Sequence, residues 1–579
     1  MLATTNVIHD YPNDLLLQRQ VTTVWRGDWT TIPWKKAFKV VRNLRQRIFR
    51  ATKAGDLKKV KRLQKLMLRC TSNLLVSVRR VTQVNQGKDT PGVDKVLIKT
   101  PTERSKLVNE LTTFTPWRAK PVKRVYIPKS NGKLRPLGIP TIRDRCMQAI
   151  VKNALEPFWE AKFEGISYGF RPGRSCHDAI AKIFLFACPN RRKKWILDAD
   201  IKGAFDNIDH NFLIKRIGKY QFPAMELIKQ WLKAGVMEEG RYRDIDSGTP
   251  QGGVISPLLA NIALHGMEHA LKVKYDNRGI VVGPRAVVRY ADDFVVFCES
   301  ERDAEESKQR LEKMLAKRGL ELSPEKTRIV HITKGFDFLG FNIRQYEVPN
   351  CTRSGFKLLI TPSKESRMKI RKKLKEEWKR MVSAPVGAVI KRINPIVRGW
   401  GNYFRIGVSS KVFSELDSHQ FKRQDRFVNR RHPNKPAYWK KGKYWGRIKG
   451  RNDNWVFQDK RTGAYMLKFS WIPIQRHVMV KQDASPDDPT LKDYWEDRTK
   501  RIRKEPLKEV RHKLFMQQKG ICPICGQPLE SMDETGQEEL HVHHMQRRKD
   551  GGTNELSNLR LVHMYCHQQV HSTVARGSK

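Results

Sequence analysis

The sequence predicts an α+β protein of several domains, and three observations carry that expectation. Its 579 residues exceed what one hydrophobic core usually supports, so roughly three to five domains are expected. Strand-like and helix-like segments alternate between residue 122 and about 345, the pattern of a mixed sheet-and-helix domain. Composition also changes at both ends: a Lys/Arg-dense helical stretch fills 33–85, and Cys, His, Gly and Asn gather after about 516. A hydrophobic fraction of 39% is adequate for globular cores.

From the N-terminus onward, each element has a local reason. WKKAFKVVRNLRQRIFRATKAGDLKKVKRLQKLMLRC places apolar residues at helical spacing among cations, predicting basic amphipathic helices with one packed face. QVNQGKDTPGVDK (83–95) breaks that pattern with Gly and Pro. VKRVYIPKSNGKLRPLGIP (122–140) reads as a hairpin around Ser-Asn-Gly, a turn-forming tripeptide. Strands are expected at 195–200, 286–290 and 294–298, with helices at 141–156, 255–274 and 302–318. A Lys-rich helix runs from 363 to about 383, and 384–475 interleaves aromatics with Arg and Lys, a composition suited to stacking on bases and pairing with phosphates. QDASPDDPT (482–490) reads as a loop or linker, and the chain has no internal repeat.

Charge narrows the function. The chain carries 113 Lys plus Arg against 59 Asp plus Glu, a formal +54. An excess spread over most of the chain repels itself unless a polyanion neutralises it, and nucleic acid is the usual one. Association should then be salt-sensitive. Nine cysteines are too few and scattered for a secreted disulfide framework; Cys70, Cys146, Cys176, Cys188, Cys298 and Cys351 read as isolated thiols. MLATTNVIHDYPNDLLLQRQ holds acids and no apolar segment, so no signal peptide is expected. No apolar run approaches a membrane span, and a soluble intracellular protein is expected.

Two acidic stretches point to chemistry. VVRYADDFVVFCE (287–299) sets Asp292 and Asp293 between two strand-like runs. Alone, such a pair is most simply an acidic hairpin tip. WILDADIKGAFDNIDH (195–210) is a second strand-like run ending in Asp198 and Asp200. If Asp200 lies beside the Asp292–Asp293 turn, three carboxylates converge, a set of hard oxygen donors suited to Mg²⁺. Two such ions can activate an attacking hydroxyl and stabilise a leaving phosphate oxygen. That is nucleotidyl transfer.

Here the residues resemble a known family. Tyr290-Ala291-Asp292-Asp293 is similar to the YxDD box of reverse transcriptases, and the run from Asp200 to Phe205 resembles their other metal-binding segment. SGTPQGGVISPLLANI (247–262) resembles a hallmark block of the group II intron branch. IPKSNGKLRPLGIP (127–140), SYGFRPGRSCHDAI (167–180), LSPEKT (322–327) and FDFLGF (336–341) fit in order. The resemblance implies a right-hand polymerase with fingers, palm and helical thumb. It makes Asp200, Asp292 and Asp293 the ligands of two Mg²⁺ ions, with the Ile201 carbonyl in support. Phe205 would exclude a ribose 2′-hydroxyl, although a core aromatic reads the same way. Lys133 and Arg135 would neutralise the triphosphate of a dNTP, and Lys129 is a lesser candidate for the same role. Gln251 and Gly252 would line the primer–nucleotide floor. Asp198, Asp206 and Asp209 read as caps or surface acids.

INPIVRGWGNYFRI (393–406) and RRHPNKPAYWKKGKYW (430–445) resemble the maturase region, domain X, of group II intron proteins. KQDASPDDPTLKDYWEDR (481–498) resembles part of the DNA-binding region next in such chains. After 521, the CxxC of Cys522 and Cys525 with the HxxC of His563 and Cys566 suits a structural Zn²⁺. The remaining His543, His544, Asn558, His567 and His571 resemble the HNH endonuclease set of a ββα-metal fold. That resemblance makes His544 the general base and His543, His567 and His571 the ligands of a catalytic divalent ion. Asn558 would brace the active-site loop and orient His544. His563 stands where many relatives have cysteine, which leaves both ligand and surface readings open.

The expected layout is a basic helical extension at 1–85, fingers and palm at 86–345, and thumb with maturase at 346–475. A DNA-binding region and linker at 476–515 and an HNH endonuclease at 516–579 complete it. The expected function is that of a group II intron-encoded protein: RNA-directed DNA polymerase, splicing maturase and second-strand endonuclease in intron retrohoming by target-primed reverse transcription. Its partners would be intron RNA, target DNA and dNTPs, with no membrane; the oligomeric state stays open. It would work in the bacterial cytoplasm as a nucleoid-associated ribonucleoprotein rather than in an organelle. The competing reading is an RNA-binding maturase with vestigial enzymatic sites; a reverse transcriptase of another lineage with an unrelated nuclease tail is a third.

Overall fold

The computed structural model describes residues 27–112, 118–128, 132, 134–238, 241–244, 247–249, 252–277, 279–348, 354–448, 450–502, 509–524, 526, 529, 540–563, 566–567 and 570. Helix Trp34–Lys53 buries Trp34, Ala37, Val41, Leu44 and Ile48, residues three or four apart on one face. Asp56 starts Leu57–Arg69 by accepting from the Lys59 amide, a normal N-cap. Together with Thr71–Arg79 these helices pack on Ile142–Glu160, so the basic N-terminal segment shares one core with the palm.

The expected fingers hairpin is present. Val122–Pro128 runs antiparallel to Leu134–Ile139, and Val236–Glu238 then Arg241–Arg243 extend the sheet. The palm sheet has the order Arg328–His331, Trp195–Ala199, Asp293–Cys298, Arg285–Tyr290, all antiparallel. Its side chains alternate between two cores. Leu197, Ala199, Phe294 and Val296 join the N-terminal helices, while Ile196, Val295, Phe297 and Val288 join the thumb side. A sheet covered on both faces must read as a continuous apolar run, which is why VVRY and FVVFC show no polar alternation.

The helix expected at 255–274 is two pieces, Ser256–Leu264 and Met267–Ala270. Gly266 lies between them at φ +104°, outside helical backbone space. The thumb comprises Lys364–Arg380, Val386–Phe404 and Ser410–Arg431; the second buries Ile393, Val397 and Phe404 on one face, as INPIVRGWGNYFRI predicts. Cys70, Cys146, Cys176, Cys188 and Cys298 are free thiols, and Cys351 falls outside the described residues. Among the described residues, no helix is long and apolar enough to cross a membrane.

The stretch expected to be a linker is irregular but firmly packed. Asp487 is buried and accepts from Arg45 Nε and Nη2, each at 2.8 Å. Glu156 accepts from the same Nη2 at 2.9 Å. Arg174 donates to the Gln482 carbonyl at 2.6 Å. Beside it, one oxygen of buried Asp178 accepts from His477, the Val480 amide and Arg498 at 2.9, 2.7 and 2.8 Å. Burial alone would raise the Asp178 carboxyl, but the His477 hydrogen bond and the Arg498 charge hold it down at about 2. Residues 477–498 thus form a strap across the palm and the first N-terminal helix.

Candidate functional site

The palm register builds the acidic centre. Ala199 pairs with Phe294, so Asp200, one step beyond, arrives level with Asp293. Tyr290 pairs with Asp293, leaving Ala291 and Asp292 as a two-residue hairpin turn. Ala291 has φ +60°, as the first position of a primed turn requires. For a residue with a Cβ that backbone costs roughly 1–2 kcal/mol, so surrounding structure must hold it.

That structure is identifiable. Gly169 lies against the turn so closely that a Cβ there would stand 2.4 Å from the Ala291 nitrogen. Asn261 donates to the Gly169 carbonyl at 2.9 Å. The guanidinium of Arg289 donates to Asn261 Oδ1 at 3.0 Å and to the Ala291 carbonyl at 3.1 Å. Arg289 is fully buried, and burial lowers its pKa to about 10 against the pull of Glu164. Buried carbonyls and a buried cation thus fix the turn from below.

Burial raises the Asp292 carboxyl and the charge of Asp200 adds to it, while Arg135 and Lys326 pull it back. Asp293 is pushed up to about 7 by burial, then by Asp292 and Asp200. The three acids therefore act on one another through their charges. They do not form a tight cage: among the described residues, the group whose ligand atoms all lie within 4.8 Å is Cys522, His563 and Cys566. Asp200 is instead engaged by Lys326. Asp198, expected to be a cap or surface acid, is neither: burial pushes its carboxyl up to about 6, its charge adds to that on Asp293, and it accepts from Arg328 Nε at 3.0 Å. Asp209 caps helix His210–Gly218, the role expected of it.

Around the acids, Arg135 lies on the fingers strand Leu134–Ile139 and is among the charges acting on Asp292. Ile201 is buried beside Asp200 and bridges to Leu322. Phe205 packs into the core and meets Phe170 edge-on with centroids 6.0 Å apart. Gly252 has φ +130°, and a Cβ there would stand 2.6 Å from the Gly138 carbonyl, so glycine lets this block touch the fingers hairpin. Lys129, Lys133 and Gln251 lie outside the described residues.

The C-terminal module has a core of its own, including Leu514, Leu559, Leu561 and Val562. Hairpin Leu540–His544 with Leu559–His563 frames it. Cys522, His563 and Cys566 are all buried, so the surface reading of His563 is excluded. Their thiol and imidazole donors fit a tetrahedral soft-ligand metal; Cys525 and His571 fall outside the described residues. The His543 and His567 rings lie 5.3 Å apart, and His541 lies 5.2 Å from His567. Asn558 braces the adjoining loop by accepting from the Gln546 amide at 2.8 Å and donating to Thr553 O at 2.8 Å. The ring of His544 instead meets Asn554 Oδ1 at 2.9 Å. The Asn558 side chain bonds loop backbone, and the asparagine that meets the His544 ring is Asn554, four residues earlier.

Family models match along the chain in the same order as these units. The N-terminal domain of reverse transcriptase matches 29–111, and reverse transcriptase (RNA-dependent DNA polymerase) matches 127–343. The group II intron maturase-specific domain matches 367–445, and HNH endonuclease matches 522–573. Protein YkfC of Escherichia coli is 38% identical over 323 residues, covering 49% of this chain and 83% of its own length. The chain belongs to the group II intron-encoded reverse transcriptases. The group II intron-encoded protein LtrA of Lactococcus lactis is 35% identical over 335 residues, 47% of this chain and 55% of its own. A protein in the cob intron of Schizosaccharomyces pombe is 31% identical, over 52% of this chain and 44% of its own length. Among solved structures, telomerase from Candida albicans aligns at a TM-score of 0.32 and 13% identity, covering 56% of this chain and 64% of its own.

Within this intron-encoded reverse transcriptase, sequence reasoning did not single out Arg289, Asn261, Gly169 and Lys326, which contact the acidic turn, its supports or its acids, nor His541 and Asn554, which lie against His567 and His544. Lys326 had a signal, since it stands in LSPEKT. Arg289 also sat beside the acidic box, but its role depends on Glu164, Asn261 and Gly169, which only the fold brings together.

Proposed function

We propose that the chain is an RNA-directed DNA polymerase, splicing maturase and DNA endonuclease that moves a group II intron by target-primed reverse transcription. The observation that carries it is the convergence of Asp200, Asp292 and Asp293 at one held turn of the palm sheet. Oxygen donors fit Mg²⁺ there: Asp200, Asp292, Asp293 and the Ile201 carbonyl would hold two ions. Those ions would supply charge stabilisation at the attacking and leaving oxygens. Arg135 and Lys133 would hold the triphosphate, Phe205 would wall the sugar, and Gln251 with Gly252 would let the nascent pair approach the fingers backbone. Cys522, Cys525, His563 and Cys566 would hold structural Zn²⁺. His543, His567 and His571 would hold the divalent ion for cleavage, with His544 taking a proton from water. The partners are intron RNA, target DNA and dNTPs, and the working place is the cytoplasm, as a nucleoid-associated ribonucleoprotein.

Primer extension on an RNA template with Mg²⁺, run beside second-strand cleavage and intron splicing, tests this. Asp292→Ala should abolish extension and spare cleavage, and His544→Ala the reverse, with splicing retained in both. Splicing by a wild-type chain that neither extends nor cleaves would establish the vestigial-maturase reading instead.

A further inference from the structure

Phe170 stands out twice. It is a bulky aromatic at φ +60°, a backbone region costly for any residue with a branched or large side chain. It is also 48% exposed, so core burial does not offset the conformation. Strain that persists without burial is the pattern of a functional constraint.

Both neighbours impose it. Gly169 is wedged against Ala291 in the acidic turn. Arg171 is buried and ties to Glu160 at 2.9 Å, to the Glu164 carbonyl at 2.7 Å and to the Ser167 carbonyl at 2.9 Å. Between these anchors the backbone turns the Phe170 ring outward and onto Phe205, edge against face, at 6.0 Å and 78°. One dipeptide therefore touches both halves of the centre: Gly169 the Asp292 turn, Phe170 the loop after Asp200. The buried edge of Phe205 is fixed by the core, and the Thr249 amide donates to its carbonyl at 2.6 Å. Its outer side has Phe170.

We propose that Phe170 is a positioning residue for nucleotide-sugar selection, holding the Phe205 ring rigid against a ribose 2′-hydroxyl. This rests on the polymerase reading above. An edge-to-face aromatic pair has a preferred geometry, so the contact resists tilting of Phe205. A wall that can tilt admits one extra hydroxyl; a wall that cannot excludes it. An apolar pocket rejects one added hydroxyl only modestly, so what selection there is depends on the wall staying in place.

The test is primer extension by the full chain on an RNA template, with KM and kcat measured separately for dNTPs and for ribonucleotides. Wild type is compared with Phe170→Ala, Phe170→Gly and Phe170→Tyr. Phe170→Ala and Phe170→Gly should lose deoxy-over-ribo selectivity to the same degree, on the order of tenfold, chiefly through a lower ribonucleotide KM. Phe170→Tyr should retain it. Phe170→Gly should melt above Phe170→Ala, because glycine adopts this backbone freely. Wild-type selectivity in the Ala and Gly variants would overturn the inference, and so would its retention in Gly alone or its loss in Tyr. Equal melting of Gly and Ala would overturn the strain argument. A wild-type chain that extends no primer would overturn the polymerase reading itself, which separates the two failures.

Discussion

Replacing Arg45 by alanine should open the strap from the body of the protein. Arg45 is the cation between two buried carboxylates, with side-chain exposures of 7% for itself, 2% for Glu156 and 6% for Asp487. Its loss would leave Glu156 and Asp487 facing one another, with Lys152 at 3.3 Å from Glu156 and the charge of Arg80 as compensation for Glu156 alone. Removing one partner of a buried ion pair costs about 3–5 kcal/mol. Asp487→Ala should cost less, about 1–3 kcal/mol, because Arg45 keeps Glu156. The double change Arg45→Met with Asp487→Leu should cost less than Arg45→Ala alone, since no charge is stranded. Hydrogen exchange of peptides spanning 478–488 reads the opening directly. At tenfold per 1.4 kcal/mol, exchange there should accelerate by roughly two to four orders of magnitude in Arg45→Ala, with the fingers hairpin unchanged. An acceleration below about tenfold, or an Asp487→Ala effect as large as that of Arg45→Ala, would refute the stranded-charge reasoning.

Gly169→Ala should lower kcat for extension by about a hundredfold with little change in KM, because its Cβ would displace the turn that carries Asp292; steady-state kinetics decide it. Cys522→Ala should open the small C-terminal core and release one equivalent of bound metal, seen by proteolysis and metal analysis, while extension persists. Burial pushes the Glu268 carboxyl up to about 7. Its folded pKa lies above the unfolded value, so its contribution is full below about pH 4 and is lost as pH rises through 7. Stability should therefore fall from pH 5 to 7 in wild type by on the order of 2 kcal/mol more than in Glu268→Gln, measured by denaturation across that range.

The acidic box, fingers hairpin, thumb helix and Cys/His module were legible because each is a local pattern: a period, a turn tripeptide, a ligand spacing. What stayed hidden depends on distant partners. Nothing near Asp487 announces Arg45, and nothing near Asp178 announces Arg498, so an acidic, proline-containing stretch read as a linker. The split of 255–274 was missed because one glycine inside an apolar run does not declare its backbone angle; Gly266 takes a left-handed one. Asn558 was recognised by its place in the HNH order, yet a pattern cannot say which asparagine faces an imidazole, and Asn554 is the one that does.

The strap also sets a clock on synthesis. Arg45 and Asp487 are 442 residues apart, and a ribosome adding roughly 5–20 residues per second separates their emergence by about 20–90 s. Glu156 follows Arg45 by only 111 residues, so for the later part of that interval the first helix can already pack on Ile142–Glu160 and pair Arg45 with Glu156. The nascent palm is thus held by a provisional ion pair, and the last contact that ties it to the first helix arrives after the thumb has left the tunnel.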